Sequence, residues 1–336
     1  MCRQSPTRTR GHEMVRDWVG TAPSPPIRIG VSSCLLGNRV RYDGDHKHDT
    51  LITDVLGRFF DFVPVCPEVA IGMGVPRPPI QLVSAAGGLR AVGVDNKQVD
   101  VTAALATYGR RMTRELKGIS GYIFKSKSPS CGIQSAKVHT RRGRPSNKGT
   151  GIFAHEFTQR LPLLPVEDEV GLNATPIREN FIERIFCYRR WQDLIASDLT
   201  RRKLARFHAI HRLTLMAHGN GHGQPLERLV DASATSLAEQ SRLYAHGFMA
   251  ILRHPATRRH HTRVLNHVLG YLASKLHQGD DAELRDAINE YRRGRFPWIA
   301  PVTLLNHHLR HFPHPDLTDQ VYLKPSAQEL LLRGYV

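Results

Sequence analysis

"IRIGVSSCLLG" (27–37) has the apolar, β-branched character of a buried strand that runs directly into a loop carrying Cys34. The same arrangement occurs in "DFVPVC", which ends at Cys66, and in "GYIFKSKSPSC", which ends at Cys131. In an open α/β sheet, the loops at the carboxyl ends of parallel strands border one crevice. We therefore predict that the three cysteines converge on one site, although they lie far apart in the sequence.

The segments between these strands predict the class of the first half. "VTAALATYGRRMTREL" has the periodicity of a helix, "TLITDVLGRFF" has helical spacing, and "LRAVGV" resembles a hairpin strand. Alternating strands and helices favour an α/β domain with an open, mostly parallel sheet over residues 27–166. From residue 167 to 336 the helical period dominates, which predicts an all-α domain of six or seven helices. Residues 1–26 are polar and basic, and we expect a disordered extension there.

The charge of the chain indicates which classes of binding partner to expect. The formal net charge is +17 over 336 residues, which favours a polyanionic partner such as RNA or DNA; the alternative is that the charge serves solubility alone. No run approaches the ~18 apolar residues of a membrane span, and no secretory signal is visible. The five cysteines are odd in number and widely spaced, so we expect a reducing, cytoplasmic setting and not a disulfide framework. No membrane association and no obligate protein partner are inferred.

Three thiolates leave several possibilities open. They can bind zinc or an iron–sulfur cluster, or they can be buried and inert. The paired Cys-x-x-Cys spacing that is usual for structural zinc is missing around each cysteine. Three cysteines on a [4Fe–4S] cluster would leave one iron without a protein ligand. Such an iron is a Lewis acid, and a soft metal prefers a soft donor such as the sulfur of a substrate.

Several motifs resemble a known family. "VSSCLLG", "VRYDGDHK", "VCPEVAIGMGVPRPPIQLV" and "KSKSPSCG" resemble, in this order, the TudS-like thiouracil desulfidase domain. "FHAIHRLTLMAH", "RRHHTRVLNHVLGYL" and "YRRGRFPWIAPVTLLNHHL" resemble the YbgA-type helical domain. The fusion is similar to the RudS-type enzymes that remove sulfur from 4-thiouridine in tRNA. The resemblance covers about residues 27 to 336.

The resemblance implies a [4Fe–4S] cluster bound by Cys34, Cys66 and Cys131, non-redox conversion of 4-thiouridine in tRNA to uridine, and release of sulfide. Glu68 of "CPE" matches the catalytic carboxylate of the family, which can activate water as a general base. Ser128 of "SPSC" matches the active-site serine.

Further candidates for substrate or RNA contact lie near the cysteine loops. They are Asp43, Lys47, Lys125, Lys127 and Ser130, the last also being the second choice for the active-site serine. The basic segment 139–151 is predicted to be a flexible loop suited to RNA phosphates, and basic clusters in the helical half could contact tRNA. The alternatives are a desulfidase of free thiouracil or thionucleosides, and a nucleic-acid-binding protein with a purely structural metal site.

Overall fold

The computed structural model describes residues 26–140, 145–219, 223–232 and 235–334. The predicted extension, apart from Pro26, lies outside these ranges. No helix in the described ranges has the length and apolar character needed to cross a membrane. The strands in these ranges are β1 (Ile27–Ser32), β2 (Phe60–Val65), β3 (Ile80–Ala85), β4 (Gly88–Gly93), β5 (Gly121–Phe124), β6 (Ala136–His139), β7 (Ser146–Gly149) and β8 (Val166–Asp168).

The helices come mostly after the last strand. They are α1 (Pro67–Ala70), α2 (Thr102–Glu115), α3 (Ile152–Arg160), α4 (Thr175–Ala196), α5 (Arg201–Ile210), α6 (Arg212–His218), α7 (Gly223–Asp231), α8 (Leu237–Leu252), α9 (Arg258–Leu272), α10 (Gln278–Arg292), α11 (Ile299–His311), α12 (Pro315–Thr318) and α13 (Ala327–Gly334). The predicted fold class, an α/β region followed by an all-α region, is confirmed.

The first sheet is parallel throughout, in the order β2-β1-β5-β8. Ile29 lies opposite Phe62 on one side and Gly121 on the other, so the three strands that precede the cysteines are neighbours. Their carboxyl ends therefore lie at one edge of the sheet, as the order of strands and loops predicts. The last strand, β8, pairs with β5 and contains the predicted domain boundary after residue 166.

A second sheet was not predicted. It has the order β4-β3-β6-β7, with β3 and β4 forming an antiparallel hairpin and β6 pairing parallel to β3. The prediction of a flexible loop at residues 139–151 was wrong in part, because β7 occupies residues 146–149 and pairs with β6. Gly149 makes this possible, since a Cβ at that position would collide with the side chain of Val138. Residues 141–144 of that segment lie outside the described ranges.

The helical half contains more helices than the six or seven predicted, with α4 to α13 in the described ranges. One reason is a break at His211, where a segment with continuous helical periodicity divides into α5 and α6. The predicted helix around residue 55 is also shorter than expected. Residues Leu51–Val55 form one π-helical turn, which is followed by a 3-10 turn at Leu56–Arg58.

Candidate active site

The three cysteines line one cavity of about 430 Å³ at the carboxyl edge of the parallel sheet. Cys34 lies in the 3-10 turn Ser33–Leu36 directly after β1. Cys66 follows β2 and precedes α1, whose second residue is Glu68. Cys131 lies in the irregular loop after β5. The structure thus brings together residues from three separate segments of the chain, because each segment follows one of three adjacent parallel strands.

The loop of Cys131 is held by its own serine and by helix α3. The Ser128 hydroxyl oxygen accepts hydrogen bonds from the backbone N–H groups of Ser130 (3.3 Å) and Cys131 (3.1 Å). The Ser130 carbonyl accepts from the N–H of Ala154 (3.1 Å), one of the N–H groups in the first turn of α3 that have no partner within the helix. Gly151 lies against this loop so closely that a Cβ there would be 2.7 Å from the Cys131 nitrogen. These contacts fix where the Cys131 thiol lies.

Burial and the charges of neighbouring groups shift the pKa values of the three thiols. Burial raises the pKa of Cys34 to about 11, with the Lys125 charge opposing the rise and Cys66 adding to it. Burial likewise raises the pKa of Cys66, and it raises the pKa of Cys131 most of all, with Cys66 and Cys34 contributing. The three groups therefore lie within electrostatic reach of each other around one cavity.

Within the described ranges, no group of three or more His, Cys, Asp or Glu side chains is arranged to hold one metal ion, so the side chains as placed form no mononuclear metal site.

Glu68 is the acid in this cavity, and Arg77 and Ser130 hold its two oxygens. Arg77 donates to Oε2 from Nε (2.9 Å) and Nη2 (2.7 Å), and its side chain is only 3% exposed. Arg77 also donates to the carbonyl oxygens of Gly74 (2.9 Å) and Val40 (3.0 Å), which ties the loops after β1 and β2 together. The Glu68 carboxylate is consequently fixed at the cavity wall beside Cys66.

A short chain of hydroxyl groups reaches Glu68. Ser130 donates its hydroxyl hydrogen to Glu68 Oε1 at 2.6 Å, and the Ser128 and Ser130 hydroxyl oxygens are 3.0 Å apart. A hydroxyl has only one hydrogen, so with Ser130 donating to Glu68 the hydrogen between the two serines belongs to Ser128. Ser130 therefore contacts the carboxylate directly, whereas Ser128 acts through Ser130 and also holds the loop.

Lys125 lines the same cavity and is anchored by Glu169. Its ammonium group forms an ion pair with Glu169 and donates to the Ser126 carbonyl at 3.1 Å. Ser126 donates to both Glu169 oxygens, from its N–H (2.8 Å) and from its hydroxyl (2.6 Å). Burial opposes ionisation of Glu169, but these bonds from Lys125 and Ser126 outweigh it and lower its pKa. Lys125 is thus a fixed positive charge near Cys34.

The other predicted contact residues lie in different places. Lys47 and Lys127 line the cavity and are exposed, and Lys127 has a positive φ of 59°. Asp43 is not among the cavity-lining residues; it is exposed and forms an ion pair with Arg41 (3.0 Å), which does line the cavity. The described lining contains five cationic side chains and one carboxylate: Arg41, Lys47, Arg77, Lys125 and Lys127, against Glu68. Three of the five form ion pairs with carboxylates, so within the described residues Lys47 and Lys127 supply the unpaired positive charge of this lining.

Two residues of the site escaped the sequence reasoning. Arg77 stands in a Pro/Gly-rich loop nine positions after its partner Glu68, and Glu169 follows the last strand of the sheet. Arg77 lies within the stretch "VCPEVAIGMGVPRPPIQLV" that carries the family resemblance, but nothing in its spacing indicates that it pairs with Glu68. A carboxylate directly after a parallel strand is the signal that could have indicated Glu169, but the strand Val166–Asp168 was itself not predicted.

The family comparisons agree with this geometry. A family model described as 2-thiouracil desulfurase matches residues 29–169, and a second, described as a protein of unknown function (DUF1722), matches residues 212–326. The uncharacterized protein YbbK of Bacillus subtilis (strain 168) is 31% identical over 135 residues, which cover 38% of this chain and 86% of YbbK. The uncharacterized protein YbgA of Escherichia coli (strain K12) is 28% identical over 168 residues, covering 48% of this chain and 97% of YbgA.

A solved structure is also similar in sequence. The [4Fe-4S]-dependent thiouracil desulfidase TudS is 32% identical over 44% of this chain and 93% of its own, with a TM-score of 0.35. The family match, with the thiol-lined cavity, defines the class of the chain as a desulfidase of the thiouracil type. The chain belongs to the 2-thiouracil desulfurase family, and a YbgA-type domain is fused behind its desulfurase domain.

Proposed function

We propose that this chain is an iron–sulfur-dependent desulfidase that converts 4-thiouridine in tRNA to uridine and releases sulfide. The observation that carries the proposal is the cavity where Cys34, Cys66 and Cys131 lie beside the Glu68 carboxylate. Further support comes from the family match and from the name of TudS, which is described as [4Fe-4S]-dependent. The +17 net charge and the added helical domain favour RNA as the substrate over a free base.

The donor set fits an iron–sulfur cluster. Iron–sulfur clusters are held by cysteine thiolates, and the three thiols here border one cavity of about 430 Å³. Cys34, Cys66 and Cys131 would hold the cluster. When bound, the cluster would supply a Lewis-acidic iron that polarises a thiocarbonyl group.

The residues of the chain account for the proton transfers of the reaction. In the net change, a thiocarbonyl group and water give a carbonyl group and hydrogen sulfide. The water oxygen bonds to the ring carbon, sulfur departs with two protons, and nothing is oxidised or reduced. Glu68 Oε1 accepts one hydrogen bond from Ser130 and retains a lone pair that can take a proton from water. Ser130, supplied by Ser128, can return a proton as sulfur leaves.

The positive charges around the entrance position the substrate. Lys47 and Lys127 are exposed at the cavity, and within the described ranges neither forms an ion pair with a carboxylate. They are therefore available to a nucleotide phosphate beside the modified base. Lys125, whose charge is engaged by Glu169, is a less suitable phosphate ligand and instead shapes the field at the thiols.

Anaerobic incubation with total tRNA, followed by nucleoside analysis, tests the proposal. After reconstitution with iron and sulfide and removal of the excess, the wild-type chain should convert 4-thiouridine to uridine and release one sulfide for each uridine formed. Glu68→Gln should slow this by about 100-fold or more while visible absorbance and iron content persist, because a general base contributes about 10²–10⁴-fold. Glu115→Gln, an exposed carboxylate with 52% side-chain exposure, is the matched control and should remain fully active.

Cys131→Ser tests the ligand assignment separately. It should lose visible absorbance and bound iron, whereas Cys187→Ser, a buried cysteine in the helical core, should retain both. Faster sulfide release from free 2-thiouracil than from tRNA would replace the tRNA assignment with a small-molecule one. No sulfide from either substrate, with iron still bound, would indicate a structural metal site and end the enzymatic proposal.

A further inference from the structure

In the described part of the chain, Tyr42 is the one aromatic residue that lines the cavity of the three cysteines. It is 43% exposed, and the other large apolar side chains of similar exposure in the described ranges lie away from this cavity. Single exposed apolar residues are ordinary on protein surfaces. An exposed aromatic ring that borders a cavity is a different case, because it presents a flat apolar surface where a substrate enters.

The backbone around Tyr42 is tied to two parts of the site. The Tyr42 carbonyl oxygen accepts a hydrogen bond from the N–H of Arg77 (2.8 Å), the residue whose side chain holds Glu68. Further along the same segment, the N–H of Lys47 donates to the Cys34 carbonyl oxygen (2.9 Å). The fold therefore sets the position of the Tyr42 backbone relative to both the catalytic carboxylate and the loop of a cysteine.

The contacts of the Tyr42 side chain leave part of the ring uncovered. The Arg41 guanidinium lies over the ring, 5.5 Å from its centroid, and is held there by two hydrogen bonds to the Asp43 carboxylate (3.2 and 3.0 Å). Within the described ranges, the Tyr42 hydroxyl forms no hydrogen bond to the protein. The fold thus makes no use of the polar end of this side chain, and the exposed part of the ring is free to contact a ligand.

A nucleobase is the ligand that suits such a surface. Successive bases stack on exposed aromatic side chains in sites for single-stranded nucleic acid, and a Tyr ring loses little conformational freedom in doing so, because it has only two side-chain torsions. We propose that Tyr42 stacks on the pyrimidine ring of the thiolated base and so positions the base in the cavity beside Glu68. This inference rests on the proposed function and adds to it a residue that binds the base itself, separate from the lysines that face the phosphate.

Three substitutions at Tyr42 test the proposal on the full chain, reconstituted with iron and sulfide. Tyr42→Phe keeps the ring and removes the hydroxyl, Tyr42→Leu keeps apolar bulk without a flat ring, and Tyr42→Ala removes both. Val99→Ala is the matched control, because Val99 is an apolar residue of the same α/β region with 46% exposure and does not line the cavity. Sulfide release from total tRNA gives kcat/KM, and iron content and visible absorbance are recorded for each variant.

Tyr42→Ala should lower kcat/KM by about 5- to 150-fold, the range for loss of one stacked base. Tyr42→Leu should fall at least about fivefold below wild type, whereas Tyr42→Phe and Val99→Ala should stay within about threefold. All four variants should retain their iron and visible absorbance.

Three results would overturn the inference and leave the desulfidase proposal standing. They are wild-type kcat/KM in Tyr42→Ala, a loss in Tyr42→Phe as large as in Tyr42→Ala, which would assign the effect to the hydroxyl, and loss of iron in both Tyr42→Ala and Tyr42→Leu, which would make the ring a support of the Cys34 loop. If the wild-type chain releases no sulfide from tRNA, the tRNA substrate of the proposed function fails, and the inference fails with it.

Discussion

Removing Arg77 should destabilise the protein more than its single position in a loop suggests. The Arg77 and Glu68 side chains are 3% and 13% exposed, so Arg77→Met would leave a largely buried carboxylate without its charged partner. Breaking a buried ion pair from one side costs about 3–5 kcal/mol. The carbonyl groups of Val40 and Gly74 would lose their donors too. We expect the free energy of unfolding to fall by about 4 kcal/mol.

A double-mutant cycle separates the ion pair from the packing. In Glu68→Gln/Arg77→Met the uncompensated charge is absent, so the double variant should be about 2 kcal/mol more stable than the sum of the two single changes implies. Denaturation by urea, under reducing conditions and without metal, measures each variant. Arg111→Met serves as control, because the Arg111–Glu115 pair is more than half exposed on both sides and should contribute below about 0.5 kcal/mol.

Two results would refute this reasoning. One is a loss of stability in Arg77→Met no greater than in Arg111→Met, which would mean that water in the cavity solvates the Glu68 carboxylate well enough to replace Arg77. The other is simple additivity in the cycle, which would mean that Arg77 stabilises the loops only through the carbonyl groups it contacts.

Two further predictions concern Gly151 and His211. Gly151→Ala should lower the free energy of unfolding by about 1–3 kcal/mol and reduce iron retention, because a Cβ would clash with the Cys131 loop, although the φ of −60° suits any residue. Gly279→Ala is the control and should be near neutral, because the space around Gly279 is open. Equal effects of the two substitutions would contradict the clash. Burial, aided by the Arg190 charge, lowers the pKa of His211 to about 3. Between about pH 6.5 and pH 3 the unfolded chain therefore binds a proton at His211 that the folded chain does not. The free energy of unfolding should consequently fall by ~1.4 kcal/mol for each pH unit as the pH drops through this range. His211→Leu should flatten this dependence between pH 4 and 6 in urea unfolding, and an unchanged slope would rule out His211 as its source.

The parts of the fold that could be predicted are the elements whose residues form a recognisable pattern within a short stretch of sequence. Ile27–Ser32 and Gly121–Phe124 are short apolar runs with nearly every residue buried, and the loops that follow them need no further information to be placed at one edge. The second sheet could not be predicted in this way. Its strands β6 and β7 have four residues each, with sequences AKVH and SNKG, and their pairing depends on contacts distant in the sequence.

The site shows the same division. The three cysteines could be named because each follows an apolar strand, and Glu68 because its CPE motif resembles that of the family, but the residues that hold them could not be named from the sequence. Arg77 gains its role only when the loops after β1 and β2 meet, and Ser130 is distinguished from Ser128 only by a 2.6 Å contact to Glu68. Sequence spacing alone does not distinguish Ser128 from Ser130. The structure does, because Ser130 contacts Glu68 directly and Ser128 contacts Ser130.

The connection between the two halves determines whether the helical region has a fixed position relative to the cavity in the α/β region. The two family models leave residues 170–211 unmatched, and this interval contains α4. The first part of α4 packs with the parallel sheet, since Phe181 and Ile185 lie in one cluster with Ile29. The second part, with Cys187 and Trp191, belongs to a core of helices that includes Phe248.

One helix of 22 residues therefore contributes to both cores. Its side chains are buried on each side, so the halves are joined by packed apolar surface and not by a flexible Pro/Gly linker. Under the proposed function, an RNA that contacts the helical region would then hold a defined position relative to Glu68 and the cysteines. Binding energy from the phosphates could in this way contribute to orienting the thiolated base, which is the benefit a free base in solution would lack.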